Sequence, residues 1–290
     1  MGLRLKFLLI LAACFLIALA ASSVFFYRVS QQNAIEQLHA QIGVLRAQAL
    51  AVRSYTSEEI RPLLTDMSDI QFLPQTVPSF SAQTTFSKFR DRYPDFYYKE
   101  AALNPTNPSD LATPWERELI DRLRADPSLK EVVEVRDGEG GGQYTVAFPL
   151  AIKSESCLSC HSVPEKAPAS MTALYGDKNG FGWKLNEIVG AQIFSVPLKV
   201  AERQVWHNLQ LLIGAMSAIF LILLLVVNAL LRWMVVSPVI KMSEIAERVS
   251  MGDSSQPEYV HKGSDEIASL SQSFNRMRRS LDNALKLLEA

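Results

Sequence analysis

Two uninterrupted apolar runs govern what this chain can fold into. FLLILAACFLIALAASSVFFY, Phe7 to Tyr27, has 21 residues and no charge. LQLLIGAMSAIFLILLLVVNALL, Leu209 to Leu231, has 23 residues and no charge. About 20 apolar residues in a helix cross a hydrocarbon core, so each run suffices for one span. Nothing comparable lies between them. On this reading residues 1–6 precede a first span (7–27), residues 28–208 form a polar section, residues 209–231 form a second span, and residues 232–290 follow. The first run also has two leader-like words: ALAAS at Ala18–Ser22, resembling a signal-peptidase site, and LAAC at Leu11–Cys14, resembling a lipoprotein box. The apolar run continues past both through Val24, Phe25, Phe26 and Tyr27, whereas a signal peptide ends its apolar region just before the cut. An uncleaved span is the better expectation.

Orientation follows from the placement of Lys and Arg. Arg4 and Lys6 precede the first run, and Arg232 and Lys241 follow the second. Both termini are expected on the cytoplasmic side and residues 28–208 outside. Arg28 and Arg203 flank the outer side and make this bias small. The net charge of −1 lacks the basic footprint that nucleic-acid binding needs.

Between the spans lies CLSCH, Cys157 to His161. Cys-x-x-Cys-His is the attachment signature of c-type haem. Two thiols at this spacing reach the two vinyl groups on one porphyrin edge, and the adjacent imidazole then falls under the iron. Cys157 and Cys160 are thus the expected thioether donors, and His161 the proximal iron ligand. A structural zinc site needs four ligands, yet the chain has three cysteines, one of them Cys14 in the first run. A thioredoxin-like pair would need a βαβ setting that the flanks do not show. A plain Cys157–Cys160 disulfide is compatible with the same residues. Haem is joined to thiols on the outer side of the bacterial inner membrane, which agrees with the charge rule and makes residues 28–208 periplasmic.

The sixth iron ligand is open at this level. Histidine and methionine are usual, and His39, His207, Met67 and Met171 lie in the outer section. His39 is singled out: a helix rising from the first span would carry it about 18 Å above the membrane at 1.5 Å per residue. A solvated helix position, or an iron with an open sixth site, fits equally well.

The expected architecture is α+β. Ile35, Leu38, Ile42, Leu45 and Ala49 recur at three and four residues, which predicts a long N-terminal helix. Pro74 and Pro78 break that pattern, NPTNPSD is a turn-rich loop, and PWERELIDRLRADP reads as a short helix opened by proline. EVVEV, QYTVAFPLAI and EIVGAQIFSVPL read as antiparallel strands, the first two joined by the hairpin signal DGEGGG. Three strands are expected, with the haem motif in the loop between the second and third. LKVAERQVWHNL then returns as a helix into the second span. Arg53, Arg61 and Lys99 are weakly marked as charge partners for haem propionates, and Tyr97–Lys99 as ordinary packing.

The segments FLPQTVPSFSAQTTFSKFRDRYPDFYYKEAALNPTNPSDLATPWE, CLSCHSVPEKAP and YGDKNGFGWKLNEIVGAQIFSVPL resemble the haem-c-carrying, PAS-like sensor domains of bacterial membrane proteins. The resemblance covers most of residues 30–200. It implies a PAS-like antiparallel sheet, a covalent c-type haem held at Cys157, Cys160 and His161, and a signalling role. Part of that family is thought to use a cysteine as distal ligand; the outer section has no spare cysteine, so this feature does not carry over.

After the second run, Val235, Pro238, Met242, Ile245 and Val249 form one seam at spacings of three and four. Ile267, Leu270, Phe274, Met277, Leu281, Ala284 and Leu288 form another. Each reads as a coiled-coil seam, and MGDSSQPEYVHKGSD connects them. Together with Pro238, MGD, DEIASL and FNRM this looks like a HAMP linker, with Ala268 where the pattern often has glycine. HAMP seams imply a parallel four-helix bundle in a homodimer, with packings close enough in energy for a membrane helix to shift their populations.

After the second run the only histidine is His261, and no nucleotide-binding glycine loop appears. The chain ends at Ala290 still in helical register, so output is expected through a separate cytoplasmic partner, such as a kinase or chemotaxis-type protein, or through a following domain. No acid–base or nucleophile constellation suggests an enzyme. The expected function is a membrane-bound, lipid-embedded haem-c sensor of redox state or a gas ligand that relays through HAMP. The alternatives are a membrane-tethered electron-transfer cytochrome and a sensor whose haem is structural.

Overall fold

The computed structural model describes residues 2–67, 70–138, 141–253 and 255–288. The chain divides into two compact units, one comprising residues 27–208 and the other residues 1–26 and 209–290.

In the first unit, four strands form one antiparallel sheet among the described residues: β1 (Tyr97–Ala102), β2 (Val132–Gly138), β3 (Gly141–Ala151) and β4 (Ile188–Pro197), in the order β1-β4-β3-β2. Strand side chains alternate between faces, and this sheet buries both. Tyr98, Val146, Phe148 and Phe194 join one core, while Ala101, Ala147, Ala191 and Ile193 join the other. The first core is covered by α1 (Leu3–Tyr55) through Ala34, Leu38, Ile42 and Ala49, and by α3 (Pro78–Arg90) through Ala82 and Phe86. The second is covered by α4 (Pro114–Ala125) through Leu119, Ile120 and Leu123. A capping box starts α4: Thr113 N–H donates to the Glu116 carboxylate at 2.7 Å, and Pro114 takes the first turn.

The long N-terminal helix stands as expected. It passes after Tyr55 into a π-helical segment, Thr56–Ile60, and then the short turn α2 (Arg61–Leu63). Other expectations are corrected. The sheet has four strands, because Tyr97–Ala102 is a strand and pairs with β4 along its length. Pro74 and Pro78 do lie beyond the N-terminal helix, and Pro78 also opens a new one, α3, at a first-turn position where its missing N–H costs nothing. The Cys157–His161 motif is not in a plain loop. It occupies α5 (Glu155–His161), followed by α6 (Ala169–Tyr175), in the connection between β3 and β4. The β2–β3 hairpin is present, with Gly138 opposite Gly141; residues 139 and 140 of its expected turn lie outside the described residues.

In the second unit, α1 and α7 (Leu198–Leu231) are long and apolar enough to cross a membrane. Within this unit they run antiparallel: Phe15 stacks on Phe220 at 3.8 Å, and Arg4 donates to the Asn228 side chain. A π-helical segment, Arg232–Val236, leads into α8 (Ser237–Ser250), and α9 (Glu266–Leu288) follows the connector. Asp265 accepts the Ala268 N–H at 2.8 Å, capping α9. The connector is clamped to α9: Ser271 and Asn275 donate to the Tyr259 carbonyl at 2.6 and 2.8 Å, and Arg278 donates to the Pro257 carbonyl at 3.0 Å. Residue 254 of the connector and the chain end at Ala290 lie outside the described residues.

Candidate functional site

Ser154 caps α5 by accepting the Ser156 N–H at 3.2 Å. From Cys157, positions three and four further along a helix share its face, so Cys160 and His161 lie on the same side as Cys157. Both thiols are free and half-buried. Helix geometry thus gives the Cys-x-x-Cys-His spacing one reactive edge.

The His161 ring is fixed from behind. Its Nδ1 lies 2.7 Å from the Gly180 carbonyl oxygen, which can only accept, so Nδ1 carries the proton and Nε2 is the nitrogen with a lone pair to offer. Trp183 stacks on the ring at 4.0 Å and 15°. Burial lowers the pKa of His161 and Arg61 adds to this, against the opposing hydrogen bond to Gly180; a neutral imidazole is favoured, the form that ligates metals.

The segment behind the ring is held in its turn. The Gly182 and Trp183 N–H groups donate to the Ser162 and His161 carbonyls at 2.9 and 3.2 Å. Gly180 N–H donates to the Asn104 side chain at 3.2 Å. Gly180 has φ +82°, and a Cβ there would overlap Thr106 Oγ1. Only glycine fits.

Cys157, Cys160 and His161 border a cavity of about 940 Å³. Small-molecule and cofactor sites span roughly 300–1,000 Å³, so this one has the size of a large cofactor. Its walls come from α1, the π-helical segment, α2, α3, β1 and the β3–β4 connection. π-helical turns recur at functional sites. On one wall Arg53 pairs with Glu100, a carboxylate with no exposed side-chain surface. Glu100 also accepts from Tyr98 Oη at 2.5 Å and from Gln192 Nε2 at 3.3 Å. Burial and the Glu100 charge push the Tyr98 phenol well above its ordinary pKa, so it stays a donor. On another wall Arg61 donates to the Ser156 carbonyl at 3.2 Å and to Ser159 Oγ at 3.0 Å, tying α2 to the Cys-x-x-Cys turn.

His39 is not brought to this site. Its Nδ1 lies 3.1 Å from Tyr144 Oη and its Nε2 3.3 Å from Glu131. Arg53, where α1 first reaches the cavity, is 14 residues further on, about 21 Å along a helix. Lys99 faces away as well, bound to Glu116 at 2.8 Å. Met171 does line the cavity, whereas His207 and Met67 do not. Gly180, Trp183, Thr106 and Glu100 were not marked as site residues by the sequence; Arg53 was, as a propionate partner, and the structure pairs it with Glu100 instead. The turn word DKNG flags Gly180 as a special backbone position, but nothing local says what it abuts.

The Tll0287-like family matches residues 31–197, and the HAMP domain matches residues 230–283. No curated protein matches. Among solved structures, the chain is similar to one described as the cyanobacterial heme-protein Tll0287. The similarity has 14% identity and a TM-score of 0.41, and covers 56% of this chain and 95% of that one. The first match takes in the whole sheet from β1 to the end of β4 together with the Cys157–His161 helix, and it extends over more than half of the 290 residues. The chain therefore belongs to the Tll0287-like family, its domain of that family being followed by a HAMP domain.

Proposed function

We propose that this protein is a periplasmic haem-c sensor, anchored in the bacterial inner membrane by spans at residues 7–27 and 209–231, that signals through its HAMP domain (residues 232–290) to a cytoplasmic partner such as a kinase or chemotaxis-type protein. The sensor occupies residues 28–208 as a PAS-like domain, and both termini are cytoplasmic. The observation that carries this reading is the shared edge of Cys157, Cys160 and His161 on a cavity of about 940 Å³, in a chain that continues into HAMP.

The residues present fit a c-type haem. Two free thiols sit at the right spacing, and His161 Nε2 is available because Gly180 engages Nδ1. Orienting a ligating histidine through its other nitrogen is a recurring feature of metal sites. Among the described residues, no group of three or more His, Cys, Asp or Glu side chains is placed to hold a bare metal ion. Cys157 and Cys160 would hold the porphyrin, His161 the iron, and Arg61 would meet propionate charge. A bound haem c supplies a one-electron couple and an iron that takes diatomic ligands.

Relay follows from chain continuity. Strand β4 ends at Pro197 and α7 starts at Leu198 with no intervening loop. A shift of the sheet on a change of haem state is therefore passed to the helix that forms the second span, and HAMP repacking in a homodimer reads it out. The test uses the full chain in membranes, carrying Leu270→Cys. Covalent haem is read by its reduced pyridine spectrum. Reduction, oxidation, NO and CO are then compared for their effect on crosslinking between chains at position 270. A spectrum without covalent haem, or crosslinking unmoved by all four conditions, refutes the proposal. Fast electron exchange with a redox partner, unaffected by deletion of residues 236–290, would identify an electron-transfer cytochrome instead.

A further inference from the structure

We propose that Met171 supplies the sixth ligand to the iron through its thioether sulfur. This rests on the haem reading above. The chemistry of the cavity wall narrows the choice. Among the described lining residues, the only imidazole is His161 and the only thioether is Met171. Methionine opposite histidine is an established axial pair for c-type haem. The chain's third cysteine, Cys14, lies in the first apolar run.

The build of α6 points the same way. It has seven residues, and Met171 is the one it buries, with 3% of its surface exposed. Met171 N–H closes the first turn on the Pro168 carbonyl at 2.9 Å. One turn on, Tyr175 lines the same cavity and meets Phe72 edge-on at 5.6 Å. A short helix on a long connection thus turns Met171 and Tyr175 to the cavity that His161 borders and buries Met171 alone. Methionine also fills irregular gaps without ligating anything, so the test separates the two roles.

A methionine ligand defines what the sensor admits. With Met171 and His161 both holding the iron, a bound haem would exchange electrons without losing either ligand, and Met/His ligation would raise its reduction potential. A gas ligand, by contrast, would compete with the Met171 thioether.

The experiment purifies the full chain, matured with haem, as wild type, Met171→Leu, Met171→His and Met67→Leu. Leucine conserves volume and packing with little cost but removes the sulfur. Each protein is measured for covalent haem, for the far-red sulfur-to-ferric-iron absorption band, for spin state and for midpoint potential. The wild type and Met67→Leu are expected to be low-spin and to show the band. Met171→Leu is expected to keep its covalent haem, lose the band, turn high-spin, fall in potential and bind CO about tenfold more tightly or more, since no internal ligand competes. Met171→His is expected to return to low spin without the band and at a lower potential. A wild type with covalent haem that is already high-spin overturns the proposal and leaves the haem reading intact. So does a Met171→Leu protein that keeps the wild-type band and potential. A wild type without covalent haem overturns both. Should Met171→Leu fail to accumulate, the wild-type spin state and the Met171→His spectrum decide.

Discussion

At Gly180 one residue holds two neighbours in place. Its carbonyl receives His161 Nδ1–H, and its φ of +82° lets the backbone pass against Thr106. An added Cβ would overlap Thr106 Oγ1 and lie 2.8 Å from the Thr106 amide nitrogen. The first clash would be relieved by rotating a side chain, but the second involves backbone and persists. The positive φ adds about 1–2 kcal/mol against any L side chain. Gly180→Ala is therefore expected to move the carbonyl that sets the His161 tautomer while leaving Cys157 and Cys160 untouched. On the haem reading proposed above, the measurable outcome is covalent haem at the wild-type level with a mixed spin state, because some molecules would lose His161 as a ligand. A homogeneous wild-type spectrum in Gly180→Ala would show that the Gly180 bond does not orient the ring. The shared edge itself is legible from spacing alone, because helix geometry puts Cys157, Cys160 and His161 on one face. The backing residues are not: Thr106 and Trp183 are distant in sequence, and their roles exist only once the chain has folded.

Among the elements, period made the helices readable and charge hid a strand. The Ile35–Ala49 pattern predicts α1 because its apolar stripe matches 3.6 residues per turn and is buried in the structure. YYKEAA does not read as a strand, since Lys99 and Glu100 are rarely buried residue types. In the structure each charge has a specific partner: Lys99 pairs with Glu116 on one face of β1, and Glu100 with Arg53 on the other. These partners come from α4 and α1, which no local pattern reveals. His39 illustrates the converse: helix rise alone says nothing of its neighbours, and the fold sets it against Tyr144 and Glu131 rather than on the cavity. The β1–β4 pair is also unusually close at Gly190, where a Cβ would overlap the Ala101 carbonyl oxygen. Gly190→Ala therefore forces the two strands apart or breaks their hydrogen bonds, and Glu100 sits on the strand that has to move. Overpacking of this kind costs about 1–3 kcal/mol, occasionally more. A lowered urea midpoint for residues 28–208 is the expected result, and unchanged stability would mean that the sheet yields at this position without cost.

At the scale of the whole molecule, α9 presents two different faces. Ala268, Ser271, Asn275 and Arg278 are buried, and the last three hold the connector. Leu270, Met277 and Leu281 lie on the other side and are 49%, 64% and 45% exposed. On α8, by contrast, Met242 is already buried within the chain. A heptad-spaced apolar row left open along a helix is what a coiled-coil seam looks like before its partner arrives. Burying such side chains is worth about 25 cal/mol per Å² of apolar surface, so charges placed there act directly on association. If the proposed homodimer closes along this row, replacing both Leu270 and Met277 by Lys is expected to shift the detergent-solubilised protein from dimer towards monomer by light scattering. The connector bonds to Ser271 and Asn275 lie on the opposite face and should survive, so helix content should hold. On the haem reading, the spectrum should also be unchanged, because the cavity that Cys157, Cys160 and His161 border is lined wholly by residues 53–189. If crosslinking between chains at an exposed α8 position, Ile240→Cys, responds to redox state in the wild-type background and fails in this one while the haem spectrum is intact, the proposed sensing and readout are separable parts. A double variant that remains dimeric would instead locate the association in the apolar helices and relieve the α9 seam of that role.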